Sequence, residues 1–199
     1  MTTEHKLVRC PWPGADPLYL RYHDREWGVP IYTDRRLFEF LVLEGAQAGL
    51  SWITILRKRP AYRAVFDGFN FNSIAGYRER KIKSLLRDAG IVRNELKIRS
   101  AVQNARSFIE VRREFGTFSR YMWGYTGHKP LQNSWREPEE VPARTPLSDT
   151  LSADMKHRGF RFFGSTICYA HMQAVGMVND HLTSCFRHQE LSMKKTGAE

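Results

Sequence analysis

Apolar residues return every three to four positions through most of this chain, a period that leaves room for little except helices. Between residues 35 and 48 the inward set is Leu37, Phe38, Leu41, Val42 and Ala48, with Asp34 placed to cap the start and Gly49 to end or bend the helix. Ser51 can cap the next helix, which turns Trp52, Ile55 and Leu56 inward, and Pro60 is expected to interrupt or restart it before Tyr62, Val65 and Phe66. A basic helix over 78–88 aligns Ile82, Leu85 and Leu86, and Gly90 is placed as a left-handed terminator. The pattern repeats over 94–114 through Ile98, Ala101, Val102, Ala105, Phe108 and Ile109, and two further helices are expected over 148–158 and 165–176. Only Arg161-Phe162-Phe163 admits a short extended segment, while the four prolines of 129–146 mark a long surface loop. These elements predict one all-α domain over 1–187 and a tail, 188–199, with little to bury and a tendency to fray.

With 42% hydrophobic and 13% aromatic residues in 199, there is material for a core, which excludes disorder of the whole. Lys and Arg number 31 against 21 acids, a formal charge of +10 that favours a polyanionic partner such as nucleic acid or an anionic membrane surface. Apolar runs such as Leu41-Val42-Leu43 are too short to span a bilayer and no signal-peptide pattern opens the chain. Three cysteines, Cys10, Cys168 and Cys185, do not make a disulfide framework, so a reducing cytoplasmic setting is expected.

The positive charge is concentrated. Residues 78–113 hold eleven Lys or Arg against four acids. Charge runs are usually solvated helix faces. Here, however, two basic helices flank the tight turn Asp88-Ala89-Gly90-Ile91-Val92, where glycine allows close backbone approach and the N–H groups opening the second helix offer an anion site. A helix–hairpin–helix gripping a phosphate backbone through Gly90, Arg93 and Lys97 would use this arrangement, although a second closely spaced glycine is missing.

His181 and Cys185 stand four apart, so on a helix they would share a face, and Cys10 and His23 lie toward the other end of the chain. Taken singly, each is more often a buried cysteine or a satisfied core histidine. Together they offer two sulfurs and two imidazoles, a suitable set for a closed tetrahedral Zn²⁺ that would staple the chain ends. Cys168, inside an apolar helix, reads as core. Glu44 follows three apolar residues and precedes small ones, with Trp12, Tyr19, Tyr22 and Trp27 near in sequence. It is either a partly exposed helix acid beside an aromatic core, or the carboxylate in an aromatic pocket suited to a purine with an exocyclic amine.

Longer strings narrow these alternatives. Cys10 with Trp12, Asp16-Pro17-Leu18-Tyr19, Tyr22-His23-Asp24, Glu26-Trp27-Gly28-Val29-Pro30, Leu43-Glu44-Gly45, Gln47-Ala48-Gly49-Leu50-Ser51-Trp52, Asp88-Ala89-Gly90-Ile91 and Val178-Asn179-Asp180-His181 occur in order from about Cys10 to Cys185. In these the chain resembles the DNA-3-methyladenine glycosylase I family. The resemblance implies a helical, helix–hairpin–helix enzyme that removes 3-methyladenine from alkylated double-stranded DNA, releasing the free base. It maps one structural zinc onto Cys10, His23, His181 and Cys185, the base-reading acid onto Glu44, and the pocket aromatics onto Trp52, Tyr22, Tyr19, Trp12 and Trp27. It places Gly49-Leu50 at the gap left by the extruded nucleotide. Ala46 stands where some relatives carry Gln.

The chemistry suits such a site. N3-methylation makes adenine cationic, so the base departs neutral and needs little general-acid help. The enzyme has to extrude the nucleotide, recognise the lesion and admit water to C1′. No sugar-side Asp or Schiff-base lysine is identifiable, so no catalytic residue is assigned and a monofunctional, monomeric hydrolase without a membrane partner is expected. Two rivals explain the basic stripe: a zinc-stapled DNA-binding module without catalysis, which leaves Glu44 without purpose, and an RNA-binding accessory protein, separated by comparing duplex DNA with RNA at matched salt.

Overall fold

The computed structural model describes residues 7–193, and among them ten α-helices follow one another. They are α1 (Pro17–Arg25), α2 (Asp34–Gln47), α3 (Trp52–Val65), α4 (Phe71–Ala75), α5 (Glu79–Arg87) and α6 (Glu95–Phe115), then α7 (Phe118–Gly124), α8 (Pro146–His157), α9 (Ser165–Ala174) and α10 (Phe186–Met193). Two two-residue strands, β1 (Leu131–Gln132) and β2 (Val178–Asn179), form a parallel bridge. No described helix is long and apolar enough to cross a membrane.

Helix α2 is the centre of the molecule, buried at every position from Leu37 to Ala46, with α3, α6, α7 and α9 packed around it. Asp34 does not cap it. Thr33 occupies the cap position, and the Asp34 carboxylate instead accepts from the Ser119 N–H at 2.9 Å and from Arg112, tying the start of α2 to α7 and α6. Around α6, Phe108 stacks on Phe118 at 4.0 Å and meets Phe38 edge-on at 5.1 Å.

Helix α3 runs through Pro60 rather than breaking there. An interior proline costs about 3 kcal/mol. The helix delivers the rings of Tyr62 and Phe66 into the core beyond it, and full burial of one large apolar side chain contributes about 1.5–3 kcal/mol. Two such rings outweigh the proline. The expected extended segment at Arg161-Phe162-Phe163 is a bend instead, with Phe162 at φ 53°. It needs no strand partner, because the buried Asn104 side chain of α6 donates to the Arg161 carbonyl at 3.0 Å and accepts its N–H at 2.7 Å. The bridge lies elsewhere, between the proline-rich loop and the residues after α9.

The tail expected to fray from residue 188 is helical to Met193. In α10 Leu191 is buried, and the Asn179 amide donates to the His188 carbonyl at 3.1 Å; residues 194–199 lie outside the described residues.

Gly90 is not in the left-handed region. It is needed for space: a Cβ there would lie 2.8 Å from the Ala61 Cβ of α3 and 2.9 Å from the Asp88 carboxylate. Gly90→Ala is therefore expected to lose about 1–3 kcal/mol by overpacking, read from the denaturant midpoint. An unchanged midpoint would show that the turn is free to move off α3.

Candidate functional site

A cavity of about 320 Å³ opens between α1, α2, α3 and α9. All six residues expected to form a pocket line it: Glu44, Trp52, Tyr22, Tyr19, Trp12 and Trp27. Trp12 is the hub of the aromatic wall, edge-on to Tyr19 at 4.8 Å and to Trp27 at 5.1 Å, while the Tyr22 and Trp52 rings lie 5.6 Å apart, tilted by 53°. The Asp16 cap of α1 places the two tyrosines, accepting from the Leu18 and Tyr19 N–H groups at 2.9 and 3.1 Å.

Glu44 is 3% exposed and has no hydrogen-bond partner among the described residues. Burial alone pushes its carboxyl up to about 8. Both tyrosines are also raised, chiefly by burial and next by the Glu44 charge, so their hydroxyls stay protonated. The Trp52 Nε1–H is likewise buried without a partner. An acid and aromatic faces left uncompensated around open space are what a planar, polar-edged, positively charged ligand would satisfy.

Other lining residues escaped the sequence reading. Gln47 lies one helical turn beyond Glu44 and was findable from that spacing. Gln173 and Asp180 arrive from far along the chain. The Asp180 carboxylate accepts from Asn133 (2.6 Å), Trp135 (2.9 Å), Tyr169 (2.7 Å) and Gln173 (2.8 Å). It thereby fastens the proline-rich loop, whose Pro138 and Val141 close one wall, to α9.

Beside this cavity Cys10, His23, His181 and Cys185 converge, all buried, with their donor atoms within 4.8 Å of one another. Residues 181–185 form a turn instead of the helix expected to align His181 and Cys185, with the Cys185 N–H bonded to the Leu182 carbonyl at 2.8 Å. The sulfur–nitrogen separations are 3.5 Å (Cys185–His23), 3.6 Å (Cys185–His181) and 3.7 Å (Cys10–His181). A tetrahedron of Zn–N and Zn–S bonds has edges of about 3.3–3.8 Å. The outward nitrogens are held as well: His23 Nδ1 meets Asp24 at 2.8 Å, and His181 Nε2 meets the Trp27 carbonyl at 3.2 Å. The Cys10 thiol's hydrogen bond pulls Cys185 well down, helped by His181 and His23 and opposed by burial, while the same pairing and burial push Cys10 up. A cation bound between the two sulfurs would favour the thiolate form of both.

The third region is the exposed corner after α2. Gly49 adopts φ 79° and Leu50 is 41% exposed, beside a smaller opening shared by Glu44, Gln47 and Leu50. The turn over 88–92 packs on α3, against Lys58, Ala61 and Tyr62. Its Gly90 and Val92 N–H groups are used internally, donating to Asp88 at 2.7 Å and to the Tyr62 hydroxyl at 3.2 Å, and its Ala89 carbonyl accepts from Lys58 at 2.9 Å. The turn's own Gly90 and Val92 amides are thus taken, and of the N–H groups opening α6, the expected anion site, that of Lys97 is accepted by the Asn94 side chain at 3.1 Å. Arg93 is exposed and makes no side-chain hydrogen bond among the described residues. Lys97 is not free: its ammonium donates to the carbonyls of Ala46 and Ala48 at 2.8 and 2.6 Å.

A family model described as methyladenine glycosylase matches residues 12–188. DNA-3-methyladenine glycosylase 1 of Escherichia coli (strain K12) is 45% identical over 179 residues, covering 90% of this chain and 96% of its own. A crystal structure of 3-methyladenine DNA glycosylase I matches with a TM-score of 0.88 at 45% identity, over 90% of this chain and 98% of that one. Another, of a variant in complex with 3-methyladenine, matches with a TM-score of 0.87 at 32% identity, over 89% and 95%.

Proposed function

The chain belongs to the methyladenine glycosylase family, and we propose that the aromatic cavity around Glu44 is where it holds the 3-methyladenine that it cuts from alkylated DNA. One observation carries this assignment: a carboxyl with no partner, buried in a cavity with aromatic walls. The lesion is a cation with an N6 amine. Its charge draws Glu44 into the ionised form, and the amine donates to the carboxylate, while Tyr22, Trp52 and the neighbouring rings cover its faces. Normal adenine brings the amine without the charge, so the cost of ionising a buried acid goes uncompensated.

Cleavage breaks the bond between C1′ and N9. The bonding electron pair leaves with the base, which departs neutral, and water adds at C1′ with loss of a proton, leaving an abasic site. The cavity contributes by holding the base out of the stack and stabilising it as it leaves; no group is assigned to activate the water. Of the basic face, Arg93 and the start of α6 contact phosphates in a helix–hairpin–helix formed by α5, residues 88–92 and α6. Leu50 enters the gap left by the extruded nucleotide.

Cys10, His23, His181 and Cys185 fit one Zn²⁺, which would supply a cross-link and no reactive position, since the four protein ligands complete the tetrahedron. The whole acts as a single helical domain and a monomer, in the cytoplasm.

The deciding experiment is chromatography of bases released from methylated duplex DNA. Free 3-methyladenine and abasic sites without strand breaks are the expected products. Duplex binding with no base released would leave a zinc-stapled DNA-binding module instead.

A further inference from the structure

Lys97 belongs to the basic face but is not placed as a phosphate contact. It lies in the first turn of α6, directly after the 88–92 turn, with its own N–H accepted by the Asn94 side chain at 3.1 Å. Its side chain reaches back across the molecule, and its ammonium bonds the Ala46 and Ala48 carbonyls at the end of α2. Those carbonyls belong to the last turn of a helix and have no successor N–H to accept from. A cation at that end is also favoured by the helix dipole. The segment so held carries the site: Glu44 and Gln47 line the cavity on the preceding turn, and Gly49 and the exposed Leu50 follow immediately.

We infer that Lys97 is a positioning residue, which locks the Gly49-Leu50 corner to the helix that opens the phosphate grip. This rests on the proposed reading in which the 88–92 turn and Arg93 hold the backbone and Leu50 fills the vacated stack. Unstacking a base costs a few kcal/mol. An apolar side chain on an exposed glycine corner opposes that cost only if the corner cannot recoil relative to the part gripping the strand. Lys97 provides the strut, since one side chain spans from the first turn of α6 to the last turn of α2.

The test uses the full chain, metal-loaded, with Lys97→Met, Lys97→Arg and Arg93→Gln. Three quantities are measured: the salt dependence of affinity for undamaged duplex, calorimetric affinity for free 3-methyladenine, and single-turnover base release together with 2-aminopurine fluorescence reporting extrusion. Lys97→Met is expected to keep the salt slope and the free-base affinity. It should lose about ten- to a hundredfold in single-turnover release, with a matching loss of the extrusion signal. Lys97→Arg, which can still reach the carbonyls, should recover most of both. Arg93→Gln should lower the salt slope by about one.

A slope lowered by about one in Lys97→Met would make Lys97 a phosphate contact and overturn the proposal. Equal loss of free-base affinity would make it a general support of the cavity, and unchanged release would make it dispensable; either result overturns it too. An unchanged slope in Arg93→Gln would instead strike the underlying reading of the DNA face, and the strut with it. Should Lys97→Met fail to fold, Lys97→Gln, whose amide still donates to one carbonyl, is read by the same measurements.

Discussion

Glu44→Gln is expected to give a protein that is more stable than the parent at neutral pH and much poorer at holding 3-methyladenine. Burial raises the Glu44 carboxyl from 4.5 to about 8, so between those values the folded chain keeps a proton that the unfolded chain has released. Stability therefore falls as pH rises through that window, by roughly 3 kcal/mol at pH 7. An amide never ionises and escapes this penalty. The advantage of the variant should vanish below about pH 4.5 and grow toward pH 8, and denaturant midpoints at pH 5 and pH 8 check it. A pH-independent difference would mean that Glu44 does not titrate from a buried position.

Function moves in the opposite direction. Glu44 in its neutral form can pass its proton to the incoming base and hold the resulting cation as a carboxylate. Gln can do neither. Losing a charge-assisted hydrogen bond of this kind costs roughly 1.5–3 kcal/mol, about ten- to a hundredfold in affinity for the free base. Calorimetric titration at matched pH decides it, and equal affinities would put the base elsewhere. Stability spent on an ionisable group in a cavity is the usual signature of a functional site.

Removing the metal should have the other large effect. Purified protein is expected to hold one zinc per chain, and Cys10→Ala with His181→Ala to hold none. Both those residues sit in a cluster drawn from opposite ends of the chain, so losing it resembles losing a native cross-link, about 2–5 kcal/mol. Chelation should lower the melting temperature by a corresponding amount. Kept below that temperature, the metal-free protein should still release base from methylated DNA, because the four side chains leave the metal no open position. Absence of zinc on elemental analysis, or full zinc retention in the double variant, would remove the assignment.

Much of this was legible in the residues. Helices α5, α6, α8 and α9 follow the apolar spacing closely, because each buries one face, while α2 lies where expected although it is buried on every side from Leu37 to Ala46. Helices α1, α4, α7 and α10 were missed: prolines surround the first, α4 is five residues long, α7 packs Phe118, Tyr121, Met122 and Trp123 inward over too short a span to show a period, and α10 lies in the segment expected to fray. A two-residue bridge has no period at all. Glycine at position 90 suggested unusual dihedrals, whereas the constraint is contact with Ala61, a residue of another helix that no local pattern reveals. In the site, Glu44 and its aromatic company stood out because a carboxylate amid apolar and small residues is chemically conspicuous. Asp180 did not, since its role depends on four donors gathered from Asn133 to Gln173. Counting charges across 78–113 also could not separate Lys97, committed to carbonyls, from Arg93.

A ribosome makes one side of the cavity long before the other. Trp12, Tyr22, Glu44 and Trp52 are translated more than a hundred residues before Ala170, Gln173, Asp180 and Leu182. Chains fold progressively from the amino terminus as they are made. The basic turn and the Leu50 corner are therefore already translated while the wall facing Glu44 does not yet exist. Any chain that stops short of residue 165 has no α9 and no enclosed place for a base. Base selectivity is thus acquired only once the segment from α9 to Leu182 has been made, and a chain that lacks it is denied the chemistry by its own geometry.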